Sequence, residues 1–457
     1  MKPYHIKRWL SKTAGIDRAV AYAASGRIWQ IIIGIINIVL IAHFITRPEQ
    51  GYLYTFQSLL AFQILFDLNL ASVLVQFAGH EMAHLKWLTR GTVDGDSGAK
   101  SRLASLIRIS FKWYSIAAIM MLVLLTSAGY IFFKSKDVAP NPVVWQAPWM
   151  LICTAASILI IFTPILGIVE GCGKVAEVAG FRIIQDSAGA LIYWIALSCG
   201  LRLFALPALF FTRVIVLLIY LLVVRGRFLI DLISMNMSRK IGFIEEIWPF
   251  QWRFLVCSIS NLLASSLMVP IIFAAQGPIV AGQLGMTLSI TTALLSVSMV
   301  WISTKVPLFC NLIALKKYDE LDSTFRTVGK HSFSVMLVLS AGIIAVLLIG
   351  NKLVPSFALR LADPAPAALL VLAVLMAFPN VAGSAYLRAH KREVTALANM
   401  SIGLVTLLLV YFASRHAGLL YIGIIQAVSN GVLSYWVYSL VIRYREDWHT
   451  RSYAEMV

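Results

Sequence analysis

The feature that most constrains this chain is its series of uncharged apolar runs, each about 18 to 26 residues long. At about 1.5 Å of rise per helical residue, such a run crosses a hydrocarbon layer of roughly 30 Å. Hydrophobic residues make up 60% of the 457 and charged residues 13%, against about a half and a quarter in soluble domains. One soluble core has no use for so much apolar surface, so lipid is the solvent. A backbone in lipid must satisfy its own hydrogen bonds, which leaves helices or a closed barrel. Runs such as 31–41 and 343–349 are continuous and lack the alternation a barrel strand needs to face lipid and lumen. The expected fold is all-α.

Bounded by charge, twelve spans are expected: 19–44, 52–78, 115–133, 147–168, 183–200 and 204–224, then 254–275, 279–303, 333–349, 367–386, 396–413 and 419–442. They form an N-terminal six-helix lobe, 19–224, and a C-terminal six-helix lobe, 254–442, joined by a linker, 225–253, and flanked by a basic N-tail, 1–18, and a C-tail, 443–457. Loop charge sets orientation. Of 38 Lys and Arg, twenty-nine fall in the tails and the loops after even-numbered spans and seven on the other side, while Arg27 and Arg213 lie inside spans. Both termini are therefore expected in the cytoplasm, and a missed span would destroy the asymmetry. These loop charges also account for the net charge of +17 without a nucleic-acid partner.

No cleavable signal is evident, since the first apolar stretch is long enough to remain as a span. In the N-tail, Ile6, Trp9 and Leu10 at helical spacing among Lys2, Lys7, Arg8 and Lys12 fit either a helix on an anionic membrane face or a solvated tail. Within the linker, 243–249 reads as an interfacial helix ended by Pro249. Cys153, Cys172, Cys199, Cys257 and Cys310 are scattered without metal spacing and read as reduced apolar fillers.

An ionisable residue at membrane depth costs at least about 2.5 kcal/mol and is a functional candidate by default. Four qualify: Arg27 in span one, Asp67 in span two, Asp186 near the cytoplasmic end of span five and Arg213 near the middle of span six. One reading is a partly neutralised cationic cavity, with guanidinium forks suited to phosphate oxygens and Asp67 or Asp186 as charge partner or coupling group. The other pairs Arg27 with Asp67 or Asp186 to hold the lobe together and lets Arg213 snorkel. The second half offers only neutral groups inside spans. Among them Asn261, Gln283 and Asn380 are candidate sugar contacts, with helix–helix hydrogen bonding as the alternative. Pro164, Pro270 and Pro379 mark positions for kinks.

His80, Glu81 and His84 match H-E-x-x-H, which on a helix sets two imidazoles one turn apart for zinc. No third ligand is evident and the motif falls where a span meets water, so it is read as a chance match and no metal is expected. Residues 171–174, GCGK, lack phosphate-loop spacing and read as a tight turn. Nothing resembles a nucleophile elbow. The chain is therefore expected to be a transporter without catalytic residues or cofactor, any coupling cation being unassigned.

Several short segments, in order, carry a family resemblance: 50–59 (QGYLYTFQSL), 66–71 (FDLNLA), 76–81 (QFAGHE), 170–173 (EGCG), 248–252 (WPFQW), 281–286 (AGQLGM), 304–307 (TKVP) and 386–391 (YLRAHK). With the two-lobe topology, they resemble bacterial polysaccharide repeat-unit flippases, the O-antigen translocases of the multidrug/oligosaccharidyl-lipid/polysaccharide exporter superfamily. The resemblance implies a MATE-like arrangement of two lobes around a central cavity, in the bacterial inner membrane. It also implies transfer of an undecaprenyl-pyrophosphate-linked oligosaccharide from the cytoplasmic to the periplasmic leaflet for O-antigen or capsule synthesis, beside other polysaccharide assembly proteins. Arg27 carries over to the family's pyrophosphate-facing arginines, while Arg213 is assigned from its depth. A cation-coupled multidrug exporter of the same superfamily is the nearer rival, and an intramembrane zinc protease the remoter one.

Overall fold

The computed structural model describes residues 18–67, 70–88, 91–136, 143–235, 266–353, 355–390, 394–416 and 418–454. The expected N-tail helix, the linker helix at 243–249 and Asn261 lie outside the described residues. Contacts group the chain into two compact units, Met1–Ile33 with Leu60–Ser258, and Gly34–Leu59 with Ile259–Val457. Among the described residues nine stretches are long and apolar enough to cross a membrane, and one of them, Gln146–Ser198, has 53 residues, enough for the two passes expected there.

Unit 1 takes the first part of α1 (Arg18–Phe44). The chain leaves this unit and re-enters it at the end of α2 (Arg47–Leu60), then continues through a 3₁₀ turn at Ala61–Gln63, the short α3 (Ile64–Asp67) and α4 (Leu70–Met82). Span two, expected as one helix, is thus interrupted by a 3₁₀ turn at Ala61–Gln63. A small antiparallel hairpin follows, β1 (Leu85–Trp87) and β2 (Val93–Gly95), with Leu85 opposite Gly95 and Trp87 opposite Val93. Leu85 and Val93 are buried while Lys86 and Asp94 are exposed, so a period of two operates locally in a helical protein. The Asp96 carboxylate accepts from the Ala99 amide at 2.7 Å and caps α5 (Ser97–Lys134).

On α5, Ile116, Ile119, Met120, Val123, Leu124 and Ile131 are exposed, whereas Ala117, Ala118, Met121, Leu125 and Phe133 are buried. Such a stripe of bare large apolar side chains suits lipid, and Ala117 and Ala118 on the inner face permit close helix approach. Gly129 serves that approach directly: a Cβ there would stand 2.3 Å from the ring of Trp149, on α6 (Gln146–Val169).

Between α6 and α7 (Val175–Ser198) the helix is broken at residues 170–174 by a wide turn in which Gly173 has φ +83°. That left-handed conformation is one glycine adopts at little cost. The turn expected at 171–174 is present, with Cys172 and Gly173 outside helical geometry. Trp87 Nε1 donates to the Cys172 carbonyl at 2.8 Å, giving a partner to a carbonyl in the broken turn. The Trp87 ring also packs against Phe228 and lies 4.9 Å from both Lys174 Nζ and the Arg225 guanidinium carbon. Unit 1 closes with α8 (Ala205–Ile219), a second wide turn at Tyr220–Val224, and α9 (Gly226–Ser234).

Unit 2 holds the second part of α1 and nearly all of α2, followed by α10 (Met268–Gln276), α11 (Pro278–Ser298), α12 (Val300–Ala314), α13 (Tyr318–Leu353), α14 (Pro355–Ala358), α15 (Pro364–Ala389), α16 (Ala396–His416) and α17 (Leu419–Ala454). A capping box starts α2, the Thr46 amide donating to Glu49 Oε2 at 2.9 Å and the Glu49 amide to Thr46 Oγ1 at 3.4 Å. Glycines bring α2 and α11 together. A Cβ on Gly51 would lie 1.9 Å from the Pro278 carbonyl oxygen, and one on Gly285 would lie 2.6 Å from Tyr54. Beside them Gln50 Nε2 donates to the Gly282 carbonyl at 2.8 Å. Pro379 lies inside α15, and a proline there removes one helix hydrogen bond. Polar side chains of α17 serve that stretch. Asn430 Nδ2 donates to the Ala373 carbonyl at 2.9 Å, the Ser434 hydroxyl donates to the Met376 carbonyl, and the Asn380 amide donates to Ser434 Oγ at 3.2 Å.

Candidate functional site

Unit 1 contains a cavity of about 530 Å³ whose polar lining comes from α1, the 61–67 segment, α6, α7 and α8. Its centre is an ion pair, Arg213 Nη2 to Asp186 Oδ1 at 2.8 Å, in which Asp186 is the more buried partner, 16% against 33% exposed. Gln30 Nε2 donates to the other Asp186 oxygen at 2.9 Å, and Gln185 Nε2 donates to the Arg213 carbonyl at 2.9 Å. The pair is therefore held from three helices.

Local sequence explains this placement. Gln185 and Asp186 follow each other on α7, while Trp29 Nε1 reaches Ser187 Oγ at 2.7 Å and fixes α1 against the same stretch. Gly189, one turn along, lets the arginine stem lie close, since a Cβ there would stand 3.3 Å from Arg213 Cγ. Arg213 Nε is buried and has no hydrogen-bond partner among the described residues. A donor left over beside a polar cavity is the group an added acceptor would satisfy.

Asp67 also lines the cavity and accepts from the Tyr114 hydroxyl at 2.5 Å. Arg27 is exposed on α1, three residues before Gln30, and is not among the cavity-lining residues. Among the described residues it pairs with neither Asp67 nor Asp186, which corrects the pairing offered as an alternative from sequence. Asp186 is taken by Arg213 and Gln30, and Asp67 by Tyr114. The lining carries two arginines, Arg182 and Arg213, and two aspartates. Formal charge is balanced there, and any anion must compete with a carboxylate already present.

Arg182 is the charged lining residue that sequence reasoning missed, along with the amides Gln30, Gln63 and Gln185. Span five was expected to begin at 183, leaving Arg182 as a loop charge, but α7 begins at Val175 and carries it about two turns into the helix. Its Nη2 meets Glu170 Oε2 at 2.8 Å. The signal available was its position one turn before Asp186.

The candidate sugar contacts have other uses in unit 2. Gln283 Nε2 donates to the Leu359 carbonyl at 3.2 Å and Asn380 Oδ1 accepts from Ser384 Oγ at 3.3 Å. In the H-E-x-x-H segment, α4 ends at Met82, so His84 lies in the turn before β1 rather than one helical turn from His80. Glu81 is buried and accepts from Arg102 Nε at 2.7 Å.

No protein-family model matches the sequence, and neither does any curated protein. Solved structures do. The chain is similar to a multidrug resistance MATE family transporter of the MOP superfamily in an inward-facing conformation, at 12% identity and TM-score 0.63, over 92% of this chain and 99% of that one. It is similar to a mutant MATE protein at 14% identity and TM-score 0.62, over 95% and 96% of the two chains. A third is a MOP superfamily transporter from Pyrococcus furiosus noted for reverse polarity of its binding pocket, at 13% identity and TM-score 0.57, over 94% and 95%. At these identities the likeness is one of fold: a helical membrane protein of the MATE architecture over nearly its whole length.

Proposed function

We propose that this protein is a transporter whose unit 1 cavity handles an anionic phosphate group. Its substrate, on this reading, is a polyprenyl-pyrophosphate-linked oligosaccharide moved from the cytoplasmic to the periplasmic leaflet of the bacterial inner membrane. The observation that carries it is Arg213, an arginine retained at membrane depth with its Nε buried and unpartnered among the described residues. Its bond to Asp186 uses one nitrogen, which leaves the rest of the fork for bidentate recognition of phosphate oxygens. An arriving phosphate displaces Asp186, which keeps Gln30 as a donor. Exchange of one anion for another keeps the arginine paired throughout, and release follows by the reverse exchange. Arg27, exposed one turn from Gln30, extends positive charge along α1 toward the head group, while the prenyl chain remains in lipid.

A second reading, a cation-coupled multidrug exporter, is favoured by the two carboxylates in the same cavity, Asp67 and Asp186, and by a structural neighbour that is a multidrug resistance transporter. The two readings diverge on cargo. In a strain lacking the protein, lipid-linked repeat units should accumulate on the cytoplasmic face. Arg213→Gln and Arg27→Gln should each fail to restore surface polysaccharide while inserting normally. Normal export by the Arg213 variant refutes the phosphate reading. Saturable binding of cationic dyes by the purified protein, with no binding of lipid-linked sugar, establishes the drug reading instead.

A further inference from the structure

Each of the two arginines lining the cavity is paired with a carboxylate, and the two pairs differ in exposure. Arg213 and Asp186 are 33% and 16% exposed, whereas Arg182 and Glu170 are 53% and 22% exposed. Both pairs close at 2.8 Å through a single Nη2. Arg182 and Asp186 lie one turn apart on α7, and both line the cavity. Glu170 belongs to the interrupted turn between α6 and α7, so the outer carboxylate is mounted on a break in the helix and the inner one on regular helix.

An exposed pair is screened by water and cheap to open, while an inner pair holds its partner more strongly. An anion entering past Arg182 therefore meets the weaker carboxylate first. We propose that Arg182 and Glu170 form a capture site at the rim of the unit 1 cavity, where an incoming phosphate or pyrophosphate group displaces Glu170 before passing inward to Arg213. This rests on the reading of the cavity as a phosphate site and adds an order of events and a second binding residue to it. Arg182 sets how fast the anion enters, and Arg213 sets how long it stays.

The test is rapid-mixing binding of inorganic pyrophosphate and of farnesyl pyrophosphate to the full-length protein in detergent, at several salt concentrations. Arg182→Gln should slow association about tenfold at low salt and flatten its salt dependence, with little change in dissociation, as for a steering charge. Arg182→Lys should restore part of the rate. Glu170→Gln, which frees the rim arginine, should speed association. A pair that merely braces the turn predicts the opposite for Glu170→Gln, and slower association in that variant overturns the capture site. So does an Arg182→Gln effect confined to dissociation. The same Arg182 dependence for both probes assigns the site to the pyrophosphate group, whereas dependence with the prenylated probe alone overturns that assignment. Arg213→Gln should speed dissociation. If it leaves binding unchanged while the rim variants behave as stated, the reading of Arg213 fails and the rim site stands.

Discussion

Substituting Gly51 with alanine places one methyl group where the structure has no room for it. The added Cβ would lie 1.9 Å from the Pro278 carbonyl oxygen and 2.5 Å from its carbon, both backbone atoms at the start of α11. Ordinary contact begins near 3.4 Å, so α2 and α11 must part by roughly 1.5 Å. A gap of even about 1 Å forfeits up to half of each dispersion well at the interface. The Gln50 bond to the Gly282 carbonyl, now 2.8 Å, would stretch beyond hydrogen-bonding range, at about 1 kcal/mol. Overpacking by one methylene typically costs about 1–3 kcal/mol, and the lost bond puts this site at the upper end, about 3 kcal/mol. At roughly 2 °C per kcal/mol for a large chain, the midpoint of thermal unfolding in detergent should fall by about 6 °C. The control is Gly342→Ala on α13, where an added Cβ meets nothing within 4 Å. There alanine's better helix propensity, worth up to about 1 kcal/mol, should leave the midpoint unchanged or slightly raised. Equal midpoints for the two variants would refute the close approach of α2 and α11.

Trp87→Leu removes two cation–π contacts and the bond to the Cys172 carbonyl, and should destabilise unit 1 by about 2 kcal/mol, read as a lower unfolding midpoint and faster proteolysis after the hairpin. Glu81→Gln weakens the charge-assisted bond from Arg102 and should cost about 1 kcal/mol. His80→Ala and His84→Ala should be tolerated, and zinc bound stoichiometrically by the wild type and lost in either histidine variant would contradict this. Ser434→Ala leaves the Met376 carbonyl without its donor beside Pro379 and should cost about 0.6 kcal/mol, the mean for such bonds in membranes, with export intact. Lost export at unchanged stability would instead make this cluster a cargo contact.

The span pattern is legible because lipid imposes a simple rule on composition: α5, α6, α13, α15, α16 and α17 cover runs read from the sequence, and α8 and α11 cover most of theirs. Span two is less so. Its apolar run is unbroken by any proline, yet the structure interrupts it with a 3₁₀ turn at Ala61–Gln63. The hairpin at 85–95 escapes a sequence reading because three-residue strands are too short for alternation to stand out, and the tertiary contact that fixes it, Trp87 against the broken turn, involves residues 85 positions away.

Arg182 is hidden for a more general reason. Ending a span wherever a charge occurs assumes that charge and lipid depth exclude each other, but an arginine whose carboxylate partner lies across a kink and whose neighbours line a cavity is not facing lipid. The rule therefore trims from each helix the residues that make a polar chamber, and a candidate site read this way comes out with the wrong set of charges. Here it gives two arginines and two aspartates from separate spans, one of which, Arg27, does not line the cavity, and it leaves out Arg182, which does. The corrective is to extend each span through any charge that has an opposite charge or an amide at helical spacing further in. Applied to α7, that recovers Arg182 from Gln185 and Asp186 alone. It also changes the chemistry: with each lining arginine matched to a carboxylate, the proposed phosphate recognition would depend on which partner yields first rather than on a standing positive potential.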